Sequence, residues 1–125
     1  MPDGAASRGR RTRVTRSGDF DAVYRRGKSA AGRHLVVYAF HRGEGDSPRL
    51  GLSVGKRVGG AVERNRVKRV IREEFSRMQA NLTPGVDYVV IARPGVAEYI
   101  EERGSGALGE RLGELAERAT RGAAA

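Results

Sequence analysis

Cysteine is absent from these 125 residues, which removes disulfides, thiolate zinc sites and a cysteine nucleophile together. Histidine occurs only at 34 and 41. Seven positions apart across an apolar run that reads as a strand, the two rings should lie on opposite faces and cannot form one site by themselves. Tryptophan is missing, and Phe and Tyr total seven. No stretch approaches the ~18–20 continuous apolar residues that a membrane helix needs. The first sixteen residues are rich in Arg and Gly without an apolar core, so they do not read as a secretory signal. A cytoplasmic protein with no membrane partner is expected.

Acid/base chemistry is equally short of material. The carboxylates Glu63, Glu73, Glu74 and Asp87 are scattered through the central chain, and no Asp/Glu cluster suggests two-metal nuclease chemistry. Glu73 is spaced to pair with Arg77 at i, i+4 on a solvated helix face. Gly55-Lys56 does not complete a phosphate-binding loop, because the G-x-x-x-x-G-K-[ST] frame is lacking. No catalytic residue, protein-borne metal site or small-molecule substrate is therefore expected.

What the chain does have is arginine. Lys plus Arg number 24 against 15 Asp plus Glu, a net charge of +9, and lysine accounts for only positions 28, 56 and 68. A GC-rich genome would favour Arg over Lys, but it would not place the charge. Residues 1–97 hold 20 basic and 9 acidic side chains, a net of +11, whereas residues 98–125 hold 4 and 6, a net of −2. One block, Arg8, Arg10, Arg11, Arg13 and Arg16, has no apolar periodicity to bury, so residues 1–12 are expected to form a disordered basic arm ahead of a single domain over 13–121. The second block lies between Lys56 and Arg72.

Periodicity supplies the elements. Ser17, with Asp19 and Asp21 in the first turn, starts a helix over about 17–26 that places Phe20, Val23 and Tyr24 on one face, and Gly27 offers a left-handed stop. Lys28 to Ala31 reads as a short strand and Leu35 to Phe40 as a β-branched and aromatic one, followed by a polar hairpin connection over 41–49. Leu50 to Val54 is a third strand, weakened by Gly51. Between Val62 and Gln79, Val67, Ile71, Phe75 and Met78 recur at helical spacing, and Asp87 to Ala92 is a nearly continuous apolar strand of the kind buried on both sides. The β-α-β spacing makes strands 50–54 and 87–92 a parallel pair. Leu108, Leu112, Leu115 and Ala119 mark a last amphipathic helix over about 106–120, and all these segments share one α+β core.

On the central helix, turning 100° per residue sets Asn65, Lys68, Arg69 and Arg72 away from the apolar stripe, with Arg64 and Arg66 flanking it. A solvated face usually mixes signs. Between Lys56 and Arg72 seven basic residues meet only Glu63, and their mutual repulsion is relieved by a polyanion. Nucleic acid is the partner this composition suits. Exposed aromatics with a basic rim would add a stacking surface for single-stranded nucleotides, although Phe20, Tyr24 and Tyr38 could equally be core.

The stretch Gly51-Leu-Ser-Val-Gly-Lys-Arg-Val-Gly-Gly-Ala-Val-Glu-Arg-Asn-Arg-Val-Lys-Arg-Val-Ile-Arg-Glu-Glu-Phe75 closely resembles the signature of the bacterial ribonuclease P protein family. Arg16, Phe20, Val23, Tyr24 and Gly27, Val36 to Tyr38, and Asp87 to Arg93 extend the resemblance over roughly residues 13–93. It implies an α-β-β-β-α-β-α fold with a mixed four-stranded sheet and a left-handed β-α-β crossover, against the usual right-handed rule. It also implies a protein subunit that joins a catalytic RNA to remove 5′ leaders from precursor tRNA, with the active site and its Mg²⁺ held by the RNA and substrate. By match, Arg64, Asn65, Arg66, Lys68, Arg69 and Arg72 would contact the catalytic RNA. Phe20, Tyr24, Tyr38, Lys56 and Arg57 would line the cleft for the leader. The alternatives are a structural RNA-binding protein such as a ribosomal component and, less suited to the sheet, a DNA binder reading bases with Asn and Arg.

Overall fold

Strand β2 (Leu35–His41) shows how the sequence divides the molecule. Its buried Leu35, Val37 and Ala39 alternate with half-buried Val36, Tyr38 and Phe40, so the two faces of the sheet have different roles. The computed structural model describes residues 17–43 and 47–124. Before β2 come helix α1 (Ser17–Arg26) and strand β1 (Lys28–Ala31). After it come β3 (Arg49–Val54), a 3₁₀ turn (Lys56–Val58), α2 (Ala61–Arg77), a second 3₁₀ turn (Gln79–Asn81), β4 (Val86–Ala92), α3 (Val96–Arg103) and α4 (Ser105–Ala124). The arm expected over 1–12, together with Arg16, lies outside the described residues.

One mixed sheet runs in the order β1-β2-β4-β3. β2 is antiparallel to both β1 and β4, while β3 and β4 are parallel, as the β-α-β spacing requires. β4 lies inside the sheet, which is why its sequence is apolar nearly throughout: only Ile91 is half-buried. Register pairs Val37 with Val90 and Tyr38 with Val89, and each pair marks one face.

The face bearing Val37 and Val90 holds the core, which Val67 and Ile71 of α2 and Leu108 and Leu112 of α4 complete. Each fully buried aliphatic side chain contributes ~1.5–3 kcal/mol. Phe75 and Tyr88 meet edge to face with centroids 5.8 Å apart. The Tyr88 hydroxyl shares a 3.0 Å hydrogen bond with Thr120 and accepts one from the Thr83 backbone N–H at 3.3 Å. On the opposite face α1 packs across β2 and β4, and Val23 and Val89 are fully buried apart from the main core.

Two expectations change. Gly27 does not have a left-handed backbone, since it is not among the positive-φ glycines. It is small because a Cβ there would sit 2.5 Å from the Val23 carbonyl and 2.7 Å from that of Ala39, where α1 closes onto β2. The chain after Pro94 also forms two helices instead of one. α3 buries Val96, Ala97 and Ile100, and Gly104, at φ +92°, ends it before α4 begins. Two helical turns are too short for an apolar period to stand out.

Candidate nucleic-acid interface

α2 begins at Gly60, which lacks a capping side chain. Glu63 compensates by reaching back, its Oε1 accepting the Gly60 N–H at 3.0 Å, so the acid nearest the basic block is committed to the helix end, where a carboxylate also favours the dipole. Val67, Val70, Ile71 and Phe75 point into the core. Asn65, Arg69 and Arg72 are exposed, and Arg64, Arg66 and Lys68 are half-buried. Among the described residues no carboxylate pairs with Arg64, Lys68, Arg69 or Arg72. The contrast with α4 is direct: there Arg111 pairs with Glu114 at 3.1 Å and Arg121 with Glu117 at 3.7 Å.

Arg66 differs from its neighbours. Its Nη2 donates to the Ala97 carbonyl at 3.2 Å and its Nη1 lies 3.5 Å from Glu101, so it ties α2 to α3. The Nε atoms of Arg64 and Arg66 are buried and find no hydrogen-bond partner among the described residues. The pairing expected between Glu73 and Arg77 is replaced by one from Glu74, 4.0 Å from Arg77: Glu74 is buried at the α4 side of the helix and is the nearer carboxylate.

The aromatic residues form a connected track on the face of the sheet away from the main core. Tyr24 and Tyr38 meet edge-on at 5.1 Å, and Phe20 follows at 6.3 Å from Tyr24. Phe20 and Tyr38 are half-buried, and Tyr24 is 40% exposed. Burial, helped by the neighbouring Tyr38, raises the Tyr24 phenol above its usual range. Val36 and Phe40 lie on the same side as Tyr38, as the strand period of two requires. Lys56 and Arg57 are exposed on the 3₁₀ turn between β3 and α2, which buried Val58 anchors.

A cluster that sequence reasoning did not find lies at the start of β4. Asp87 is almost wholly buried. Arg49 grips it with two bonds, Nε to Oδ1 at 2.7 Å and Nη2 to Oδ2 at 2.6 Å, and Arg42 adds Nη1 to Oδ1 at 2.5 Å. Arg42 also donates to the Ser47 carbonyl at 2.8 Å. The partners are 38 and 45 positions away in sequence, so no local spacing announces them.

The histidines stay apart. His34 stacks on Tyr99 with centroids 4.6 Å apart; burial and then Arg33 lower its imidazole pKa, while Glu98 opposes them. His41 is exposed at the other end of β2. Among the described residues no group of three or more His, Asp or Glu side chains could hold a metal ion, and no helix is long and apolar enough to cross a membrane.

Residues 9–116 match the Ribonuclease P family profile. The ribonuclease P protein component of Geobacillus kaustophilus is 48% identical over 86 residues, covering 69% of this chain and 71% of that one. The RNase P protein from Thermotoga maritima superposes with a TM-score of 0.76 at 34% identity, covering 85% of this chain and 96% of that one. A mutant of the Staphylococcus aureus RNase P protein, described as defective in mRNA degradation activity, gives 0.78 at 32% identity over 89% and 95% of the two chains.

Proposed function

Because the chain belongs to the bacterial ribonuclease P protein family and is thus the protein component of that tRNA-processing endoribonuclease, we propose that it works by holding RNA and leaves bond cleavage to its RNA partner. The observation that carries this reading is the solvent face of α2, where Arg64, Lys68, Arg69 and Arg72 have no acidic partner among the described residues. Cations left unneutralised on a rigid helix are what a phosphate backbone requires. In this reading the catalytic RNA lies along Arg64, Asn65, Arg66, Lys68, Arg69 and Arg72.

The leader of precursor tRNA takes the other surface. Its unpaired bases stack along Phe20, Tyr24 and Tyr38, each stacked base worth ~1–3 kcal/mol whatever its identity, and Lys56 and Arg57 meet its phosphates. Sequence tolerance suits leaders that differ from one precursor to another. In this scheme the Mg²⁺ ions are held by the RNA and substrate, where they would supply the hydrolytic chemistry. The protein's own contribution is position: the leader and the catalytic RNA are held on adjoining surfaces of one small scaffold, in the cytoplasm, where precursor tRNA is made.

Reconstitution tests this. The protein alone should leave precursor tRNA intact at physiological Mg²⁺, and adding the catalytic RNA should give the mature 5′ end; robust cleavage without RNA would overturn the reading. In the reconstituted enzyme Tyr38→Ala should weaken binding of leader-bearing substrate about tenfold, the loss of one stacked base, and leave mature tRNA affinity unchanged.

A further inference from the structure

Among the described residues only two large apolar side chains are exposed: Tyr24 at 40% and Val62 at 80%. Tyr24 lies in the aromatic track. Val62 stands in the first turn of α2, in the middle of the basic block, and nothing in the fold accounts for it. Helical geometry turns it ~180° away from Ile71, about as far from the core as the helix allows. A β-branched residue there is also a weaker helix former than alanine. Single exposed valines are common on protein surfaces, but this one occupies a particular line. Turning 100° per residue sets Val62, Asn65, Arg69 and Arg72 within an arc of ~80°, and all four are exposed. The ridge therefore carries an apolar tip, then an amide, then two cations.

We propose that Val62 is the apolar contact of this interface and packs on an unpaired nucleobase of the catalytic RNA while Arg69 and Arg72 hold the flanking phosphates. An unpaired base is the chemistry that fits. RNA offers apolar surface to a side chain where bases are unstacked, whereas the phosphates of a regular helix offer none. Burying the valine gives the complex a component that salt does not screen, alongside the counterion release that the arginines provide. The inference rests on the assignment of the α2 face to the catalytic RNA.

Titrating the catalytic RNA with full-length protein from about 0.1 M to about 0.5 M salt separates the two. Val62→Ala should weaken binding by about three- to tenfold at every salt concentration, with the slope of log K against log salt unchanged. Val62→Lys should steepen that slope and still bind more weakly than the parent at the high-salt end. Parent-like affinity for Val62→Ala, with tighter binding by Val62→Lys throughout, would overturn the proposal and leave an ordinary cationic ridge. Arg69→Ala is the separate control: if it changes neither affinity nor slope, the assignment of α2 has failed before the role of Val62 is at issue.

Discussion

Arginine is concentrated both at the far end of the sheet and on the solvent face of α2, yet the two sets have opposite fates. Arg42 and Arg49 converge on one buried carboxylate at 2.5–2.7 Å. Arg69 and Arg72 project into solvent, and among the described residues no carboxylate, not even the neighbouring Glu73, forms an ion pair with either. The first arrangement is a condition of folding: a carboxylate taken out of water is tolerable only if strong partners replace its hydration. The second slightly opposes folding through like-charge repulsion and is relieved when a polyanion binds. Residue type alone does not assign a cation to fold or to function; its environment does.

The sharpest break of this comparison is to remove the carboxylate. Asp87→Ala leaves two guanidiniums facing an apolar strand, and unfolding by denaturant should show a loss of about 3–5 kcal/mol. At temperatures where the variant remains folded, its salt slope for RNA binding should match the parent. The converse is Arg69→Glu with Arg72→Glu, which should lower affinity for the catalytic RNA about a hundredfold with little change in melting temperature. The same reversal at Arg111 and Arg118 on α4 should stay within about twofold. Arg66 sharpens the distinction by belonging to both classes. Its bond to the Ala97 carbonyl predicts a stability loss of about 1 kcal/mol for Arg66→Ala, and its position on α2 predicts a further, few-fold loss of RNA affinity. Losing only one of the two would place Arg66 wholly in one set.

Much of this was legible in the chain. α1 and β1 fall within the expected bounds, β3 and β4 begin one residue early, and α2 covers most of the range its apolar stripe marked. These elements announce themselves because burial on one side repeats at the period of the backbone. α3 was not legible, since eight residues give Val96, Ala97 and Ile100 too little length to show a period. The small size of Gly27 was read as conformational freedom. Its cause is instead the closeness of two carbonyls, that of Val23 four residues back and that of Ala39 in β2, and no local rule contains the second. The basic face of α2 could be read from spacing, because a helix sorts its own residues. Spacing could not separate Arg66, held by α3, from Arg69, which is not.

The sequence by itself determined every strand and every helix except α3, the parallel pair of strands, the localisation of positive charge and the family frame at 51–75, all carried by residues a few positions apart. The tertiary structure decided three further things. It closed Asp87 between Arg42 and Arg49, brought Tyr24 of a helix within 5.1 Å of Tyr38 of a strand, and left Val62 bare where every comparable aliphatic side chain among the described residues is wholly or partly covered. The first two depend on groups that meet only once the sheet and helices have packed, and the third on no other element covering the outward face that helical geometry gives Val62. Burial and charge pairing are set by distance in space, which local spacing along the chain does not specify.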